Sequence, residues 1–299
     1  MNAKVVGIVG VGNMGGAMAA RLLELGWTVQ VHDIARAKVD ALAAAGARPC
    51  ASAAEAARGA GALIVCVVDA DQTGQVLFGQ AGALPALAPG QAVLLCPTIA
   101  PDDVERFAGQ LAAAGIAAID APMSGGPARA RDGSMSLMVA CADAAYEAHR
   151  PLIDALSSRV FRISQRPGDG ARTKLVNNLL AAINLVGAAE ALALAGRMGL
   201  DLSRTLDVIE QSSGQSWVGV DRMRRAIAGD YEPRAHVTLL QKDSGLALQA
   251  AAAVGFKGPL GAAARAVFDR AVDAGWAGLD DAAIFRVLDA GHYREPSRP

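Results

Sequence analysis

The sequence predicts an α/β domain with a doubly wound parallel sheet over residues 1–163, followed by an all-helical domain over residues 164–299. Three observations support this organisation. Short apolar runs alternate with Ala-rich segments of helical length in the first half, as in βα units around a parallel sheet. Near Ser164 the stretch SQRPGDG supplies a proline and two glycines, and only helix-like segments follow. The length of 299 residues also fits about two domains.

Seven apolar runs are the predicted strands of the first domain. The first four are almost continuously apolar, as in strands that crossover helices cover on both faces. The seven runs lie at residues 4–10, 28–32, 62–68, 92–96, 117–120, 135–140 and 160–163. The first helix-like segment between them ends at Gly26, a typical residue after the last turn of a helix.

A glycine-rich loop, GIVGVGNMG, follows the first predicted strand and precedes a helix. It contains Gly10, Gly12 and Gly15 in the spacing G-x-G-x-x-G. In a dinucleotide-binding turn the first glycine allows the tight turn, the second lets the backbone approach a pyrophosphate, and the third lets helix and strand pack closely. The N–H groups at the helix start would then donate to the phosphates. The alternative is an ordinary glycine turn between strand and helix.

Asp33 ends the second predicted strand, about 20 residues after the glycine loop, where a carboxylate binds the adenosine ribose of a dinucleotide. Such a carboxylate accepts hydrogen bonds from the ribose hydroxyls and repels a 2′-phosphate, which favours NAD. Arg36 follows three residues later and could pair with the 2′-phosphate of NADP, or could be a solvated residue at a helix start. The sequence therefore predicts a Rossmann-type domain that binds NAD, with NADP as the alternative cofactor.

The stretch DAPMSGGPARARDG, residues 120–133, follows a predicted strand and is expected to lack regular structure. Within it, Ser124, Gly125 and Gly126 offer a hydroxyl and backbone N–H groups that no side chain shields. Such groups can form a nest for an anion. The alternative is an ordinary loop.

A long helix is predicted to open the second domain and to run to about Met198. After its first residues it is apolar on every side, as a buried helix is. Lys174 and Asn178 are four residues apart and share one face, and Asn177 lies nearly on it. A lysine in apolar surroundings tends toward a lowered pKa, which suits proton transfer, and a nearby asparagine could orient it. The alternative is that Lys174 reaches solvent while the asparagines cap neighbouring backbone.

Composition excludes several classes of protein. The formal net charge of −1, with both signs dispersed, gives no indication of a nucleic-acid partner. Four widely spaced cysteines in mostly apolar runs indicate reduced, buried thiols, and the four histidines show no metal-ligand spacing. We expect no signal peptide before the first strand, and four polar residues within 175–194 argue against a membrane span. We therefore expect a cytoplasmic protein without a metal, nucleic-acid or membrane partner.

Four motifs in order resemble those of the β-hydroxyacid dehydrogenases, relatives of 3-hydroxyisobutyrate, tartronate semialdehyde and threonate dehydrogenases. GIVGVGNMGGAMAARLLELG is similar to the family's cofactor signature and DAPMSGG to its substrate-binding motif. GDGARTKLVNN is similar to its catalytic motif, and LLQKDSGLALQAA resembles its K-D-x-x-L-A segment, which implies that Lys242 and Asp243 lie near the cofactor or the pocket. The resemblance spans nearly the whole chain. It implies a Rossmann-type domain joined by a long helix to an all-α domain, and a homodimer or homotetramer.

The resemblance also implies a role for each matched residue. Lys174 would be the catalytic proton-transfer group and Asn178 its partner. Ser124, Gly125 and Gly126 would bind the substrate carboxylate, with Asn177 also at the substrate site. The cofactor site would contain Gly10, Gly12, Asn13, Met14, Gly15, Asp33, Thr98 and Lys242, with Thr98 beside the nicotinamide.

Three positions leave the substrate open. Pro97 stands where the family usually has serine, and Arg129 stands where its substrate motif usually has glycine. Arg129 could bind a second anion or polar tail of the substrate, or point to solvent. Trp217 could line the pocket or belong to the core. The segment SGGPARA resembles the corresponding segment of the threonate-type members of the family more than that of the others.

The expected function is an NAD(P)-dependent oxidoreductase that transfers a hydride between nicotinamide and a small hydroxy acid, giving a semialdehyde or keto acid. Three alternatives remain at this point. An imine reductase-like enzyme shares the fold but typically lacks the lysine at position 174. A phosphogluconate-type decarboxylating enzyme would be expected to have a longer helical domain. A non-catalytic dinucleotide-binding scaffold would need no Lys174–Asn178 pair.

Overall fold

The computed structural model of the chain describes residues 4–289. The chain divides into two compact units that join between Lys174 and Leu175. This division lies inside one helix, whereas the boundary predicted from the sequence, between residues 163 and 164, lies at the end of the last strand. The first turns of that helix therefore belong to the α/β unit, and the boundary at 163 stays a prediction.

Nine strands in the described part of the first unit form a single sheet. In chain order, β1 to β9 are Val5–Val9, Thr28–His32, Arg48–Pro49, Ala62–Val65, Ala92–Leu95, Ala117–Asp120, Met123–Ser124, Ser136–Ala140 and Arg159–Ser164. Their order is β3-β2-β1-β4-β5-β6-β8-β7, with β9 on β8. All pairs among β1 to β6 are parallel, β8 is antiparallel to β6 and β7, and β9 is parallel to β8. The predicted parallel-rich sheet is confirmed.

Helices cover both faces of this sheet. In chain order, α1 to α7 are Asn13–Glu24, Arg36–Ala44, Ala53–Ala57, Ala70–Phe78, Pro101–Ala113, Gly126–Asp132 and Asp143–Leu156, and Leu84–Ala86 is a 3₁₀ turn. The side chains of successive residues in β4 belong to different hydrophobic clusters on the two faces of the sheet. Ile64 lies in the same cluster as Met18 of α1, whereas Leu63 lies in the same cluster as Phe107 of α5. Burial on both faces is the reason that the first strands are almost continuously apolar.

The prediction that residues 120–133 lack regular structure is wrong, because this stretch contains β7 and α6. Gly125 has a φ of +127°, which lets the chain turn sharply out of β7. Pro127 lies in the first helical turn, where its fixed φ suits a helix and its missing N–H costs nothing. Gly133, in the left-handed conformation, ends α6. The glycines therefore mark the two ends of a short helix and not one long loop.

The second unit consists of helices in its described part, as predicted. Helix α8, Asp169–Arg197, enters it from the first unit, and α9 to α13 are Leu202–Glu210, Trp217–Ile227, Val237–Ala253, Pro259–Asp273 and Ile284–Leu288. Asp281–Ala283 is a 3₁₀ turn. The core of this unit includes Leu185 of α8, Met223 of α10, Phe268 of α12 and Phe285 of α13, all nearly inaccessible to solvent.

Helix α8 is buried on one side only, which corrects the prediction of a helix buried all round. Its core face contains Ala182, Leu185, Ala189 and Leu192. In contrast, Val176 is 70% exposed, Leu180 58% and Leu194 59%. Within residues 4–289, α8 is the one helix that passes a test of length and apolar composition for a membrane span. Its packed face belongs to the core of the helical unit, and its exposed residues are mostly apolar, with Asn177 and Glu190 among them.

Candidate active site

The glycine loop between β1 and α1 has the geometry of a dinucleotide-binding turn. Gly10 has a φ of +88°, and its N–H donates to the His32 carbonyl at 3.0 Å, which joins the ends of β1 and β2. A methyl group on Gly10 would lie 2.5 Å from the Cys66 carbonyl oxygen, and one on Gly15 would overlap the Gly10 carbonyl oxygen. These two glycines are therefore required by the protein's own packing.

Gly12 differs from Gly10 and Gly15 because, among residues 4–289, only the end of one flexible side chain comes near the space around it. A methyl group there would meet only Lys38 Nζ, at 3.8 Å. Gly12 is the N-cap of α1 and supplies no side-chain cap, so its open side faces the positive end of the helix dipole. An anion such as a pyrophosphate fits this space, and the nearby ammonium of Lys38 favours negative charge there.

Asp33, the predicted ribose-binding residue, also fastens the glycine loop. Its Oδ2 accepts the N–H of Val11 at 2.7 Å and its Oδ1 accepts the N–H of Ala35 at 2.8 Å. Each oxygen has a second lone pair and can still accept from a ribose hydroxyl. Arg36, which was the alternative candidate to bind a 2′-phosphate, forms an exposed ion pair in which its Nε lies 2.9 Å from Asp40 Oδ1. The cation that the structure places beside the loop is Lys38 instead.

The other predicted residues of the first unit follow strands of the same sheet. The strand order reverses between β1 and β4, and dinucleotides bind outside the carboxyl ends of the strands at such a switch point. Thr98 follows β5, at the carboxyl end of a parallel strand, whereas Ser124 is the last residue of β7, which is antiparallel to β8. Asn13 starts α1, whereas the side chain of Met14 packs against the core. The roles of these residues at the cofactor and substrate sites stay predictions.

The substrate loop predicted at Ser124–Gly126 is covered by the side chain of Arg129. A methyl group on Gly125 would lie 2.8 Å from Arg129 Cδ. The aliphatic part of Arg129 therefore lies against the loop that is expected to hold the substrate carboxylate. The two roles predicted for Arg129, binding a polar part of the substrate or pointing to solvent, both stay predictions.

Lys174 is buried at the head of α8, with 8% of its surface exposed. A lysine that reaches solvent, the alternative drawn from the sequence, would be more exposed. The turn before Lys174 is fixed by Asp120 at the end of β6, whose Oδ2 accepts the N–H groups of Gly168 at 2.8 Å and Ala171 at 3.0 Å. A side chain of the sheet therefore holds the start of the helix that carries Lys174.

Asn178, one turn after Lys174, is 7% exposed and its amide has a fixed orientation. Its Nδ2 donates to Asp243 Oδ2 at 2.6 Å, and its Oδ1 accepts from Asn177 Nδ2 at 3.0 Å. The other oxygen of Asp243 accepts from Lys242 Nζ at 2.7 Å. Asp243 therefore orients Asn178 and neutralises Lys242, the residue predicted at the cofactor.

Two residues at this site have positions that the sequence did not predict, Lys38 and Asp120, and the contact of Asp243 with Asn178 was not predicted either. Asp120 and Asp243 both stand at recognisable places, at the start of DAPMSGG and directly after Lys242, yet their partners are distant in sequence. Trp217 is 45% exposed at the first position of α10, so it does not belong to the core.

Comparison with known proteins identifies the family. The profile for the NAD binding domain of 6-phosphogluconate dehydrogenase matches residues 5–164, and that for the NAD-binding of NADP-dependent 3-hydroxyisobutyrate dehydrogenase matches residues 168–288. The L-threonate dehydrogenase of Cupriavidus necator is 38% identical over 283 residues, which cover 95% of each chain. The chain belongs to the β-hydroxyacid dehydrogenase family. As a member of this family, it is an NAD(P)-dependent enzyme that acts on hydroxy acids, as predicted.

Solved structures agree with this assignment. The crystal structure of 3-hydroxyisobutyrate dehydrogenase from Salmonella typhimurium superimposes with a TM-score of 0.89 at 38% identity, covering 95% of this chain and 99% of that one. It confirms the N-terminal Rossmann domain and the helical C-terminal domain of a β-hydroxyacid dehydrogenase. An imine reductase from Pseudomonas sp., at 21% identity and a TM-score of 0.61, covers 95% of this chain and 99% of that one and shares the fold alone.

Proposed function

We propose that this β-hydroxyacid dehydrogenase oxidises a small hydroxy acid of the L-threonate type, with NAD as its preferred cofactor and Lys174 as its proton-transfer group. The observation that carries the proposal is the burial of Lys174 on the face of α8 that it shares with Asn178. Burying an ammonium is costly, so a lysine in this position is better explained by chemistry than by stability.

The chain's residues supply the proton chemistry of the reaction. The nicotinamide, when bound, exchanges a hydride with the carbinol carbon of the substrate. In oxidation the neutral amine at Lys174 Nζ accepts the proton of the substrate hydroxyl, and in reduction the ammonium donates it back to the oxygen. Asn178, held by Asp243, orients the substrate oxygen next to this amine.

The substrate carboxylate would bind at Ser124, Gly125 and Gly126. Backbone N–H groups around two glycines of positive φ, together with a serine hydroxyl, suit an anion. Asn177, which is exposed and bonded to Asn178, would contact the polar part of the substrate.

Two observations favour an L-threonate-type substrate over a shorter hydroxy acid. The Cupriavidus necator relative is named an L-threonate dehydrogenase. In addition, the aliphatic part of Arg129 lies against the substrate loop, and a guanidinium has several donors that can bind additional hydroxyl groups. L-Threonate carries such hydroxyls, whereas 3-hydroxyisobutyrate has only the one that reacts.

The substrate is tested by following NADH or NADPH absorbance with L-threonate, its primary amide and 3-hydroxyisobutyrate. The amide is expected to bind more weakly by about 1.5–3 kcal/mol, the range for hydrogen bonds to charged groups. Arg129→Ala is expected to reduce activity with L-threonate and to leave activity with 3-hydroxyisobutyrate unchanged. Equal turnover of the acid and its amide would refute the carboxylate site.

Lys174→Ala tests the catalytic assignment. Turnover is expected to fall by about 10²–10⁴-fold, the usual contribution of a general acid–base group. NADH binding, measured by fluorescence, should remain close to that of the wild type, and so should the thermal midpoint. Lys257→Ala, at an exposed lysine of the helical unit, is the matched control and should be silent. A Lys174→Ala enzyme that retains more than about a tenth of wild-type turnover contradicts the proposal.

The exposed apolar face of α8 supports a homo-oligomer, because monomeric proteins rarely expose contiguous apolar surface of this kind. A cytoplasmic location accords with the four free cysteines within residues 4–289, since such thiols persist in reducing compartments.

A further inference from the structure

Asp120 is a buried carboxylate that the reaction described above does not use. It ends β6 and is 1% exposed. Its Oδ2 accepts two backbone N–H groups at the start of α8, that of Gly168 directly before the helix and that of Ala171 in its first turn. Those N–H groups have no carbonyl acceptor within the helix, so a side chain from another element caps α8.

The sequence at the start of α8 is adapted to this carboxylate. Gly168 has a φ of +102°, a conformation that favours glycine. A methyl group on Gly170 would lie 2.9 Å from the Asp120 carboxyl carbon, so only glycine allows the helix to approach Asp120 this closely. The two glycines of GDGARTKLVNN therefore both serve the contact between Asp120 and α8.

The position of Asp120 is costly to the protein. Burial raises the pKa of Asp120 to about 6, although hydrogen bonds from Ala171, Gly168 and Gly170 oppose the shift. Three other titratable groups interact electrostatically with Asp120. The charge of Asp169 on α8 raises the pKa of Asp120, and the charge of Asp120 raises the pKa of the Cys96 and Cys141 thiols. Burial raises the pKa of both thiols, so they stay neutral. A carboxylate kept in such surroundings calls for a functional reason.

We propose that Asp120 is a positioning residue for catalysis, which holds the first turn of α8 against β6 and thereby fixes the position of Lys174. Lys174 follows Ala171 by three residues, so a shift of the capped turn is transmitted directly to it. Asp120 also begins the stretch that leads to Ser124, and one side chain therefore links the strand before the substrate loop to the lysine helix. This inference rests on the proposed role of Lys174.

The experiment compares Asp120→Ala and Asp120→Asn with Asp169→Asn. Asp169 lies in the same first turn, but its carboxylate bonds to Ser164, Arg166 and Arg172 and to no backbone N–H of the helix. It therefore controls for loss of negative charge at this helix end. Turnover is measured in the reductive direction, where Lys174 donates its proton as the ammonium, the form that a lower pH favours.

Asp120→Ala is expected to lower kcat about ten- to a hundredfold, the cost of a misplacement of about 1 Å, while NADH affinity is unchanged. Hydrogen exchange of the peptide that contains Gly168 and Ala171 should become faster. The wild type should lose activity below an apparent pKa near 6, and Asp120→Asn, whose amide does not titrate, should lack this decrease. Asp169→Asn should match the wild type in kcat, NADH affinity and hydrogen exchange, and should retain the decrease of activity at low pH.

The inference is overturned if Asp120→Ala keeps kcat within about twofold of the wild type, or if the decrease below pH 6 persists in Asp120→Asn. If Asp120→Ala does not fold, the pH profile of Asp120→Asn decides alone. Lys174→Ala is measured in parallel. A silent Lys174→Ala would refute the proposed function, whereas a strong Lys174→Ala effect with silent Asp120 variants would refute this inference alone.

Discussion

Asp33 combines two tasks in one side chain. It binds two backbone N–H groups that shape the glycine loop, and it is the proposed partner of the adenosine ribose. A substitution that removes the side-chain oxygens therefore disturbs the loop as well as the choice of cofactor. An asparagine keeps one of the two acceptors and removes the charge, so it disturbs the loop less than a variant without side-chain oxygens.

Asp33→Asn is expected to weaken NADH binding and to strengthen NADPH binding, because the carboxylate no longer repels a 2′-phosphate. Asp33→Ser, whose shorter side chain cannot reach both N–H groups, is expected to weaken the binding of both cofactors. Dissociation constants from nucleotide fluorescence measure the two effects. A wild-type enzyme that binds NADPH more tightly than NADH would show that Lys38 or Arg36, and not Asp33, determines the preference.

The turn between β1 and α1 contains glycines that are needed for different reasons. Gly15→Ala places a methyl group on the Gly10 carbonyl, so we expect a less stable protein with a lower thermal midpoint. Gly12→Ala meets only Lys38 Nζ at 3.8 Å, so we expect normal stability and much weaker NADH binding. Thermal unfolding and NADH titration of both variants test this contrast. Normal NADH affinity in a folded Gly12→Ala protein would contradict the assignment of the pyrophosphate to this turn.

Elements that depend on local pattern could be predicted from the sequence, and elements that depend on distant partners could not. The strands Thr28–His32 and Ala117–Asp120 match their predicted bounds, since both are apolar runs with sharp ends. The two-residue strands have no such pattern because their pairing is set by neighbouring strands. Helix α6 was missed because its flanking glycines and its proline were read as loop signals.

The same distinction holds at the active site. The fingerprint of Gly10, Gly12 and Gly15 is local and could be predicted. Asp120 reaches Gly168 across 48 residues, and Asp243 reaches Asn178 across 65. No local spacing indicates such pairs, because the topology of the sheet and the packing of α11 bring them together.

At the scale of the whole molecule, the exposed face of α8 predicts self-association. Leu194→Glu places a charge on this face and is expected to weaken a dimer or tetramer, because an unpaired charge is costly in an apolar interface. Leu260→Glu is the control, since Leu260 is similarly exposed, at 61%, but lies on α12. Light scattering after gel filtration measures both variants. A wild-type protein that is monomeric at micromolar concentrations would contradict the prediction.

The free energy of unfolding should depend on pH in a way that reflects the titration of Asp120. Burial raises the pKa of Asp120 to about 6 from its ordinary value of 3.8, so the folded state binds more protons than the unfolded state between these pH values. Its contribution to the free energy of unfolding is therefore greatest below about pH 4 and is lost as the pH rises through 6. At about 1.36 kcal/mol per pKa unit, the loss amounts to roughly 3 kcal/mol.

Asp120→Asn does not titrate, so its stability relative to the wild type should increase by up to this amount from pH 4 to pH 8. Denaturant unfolding at both pH values measures the difference, and a difference that stays constant would show that the Asp120 pKa is the same in the folded and unfolded chain.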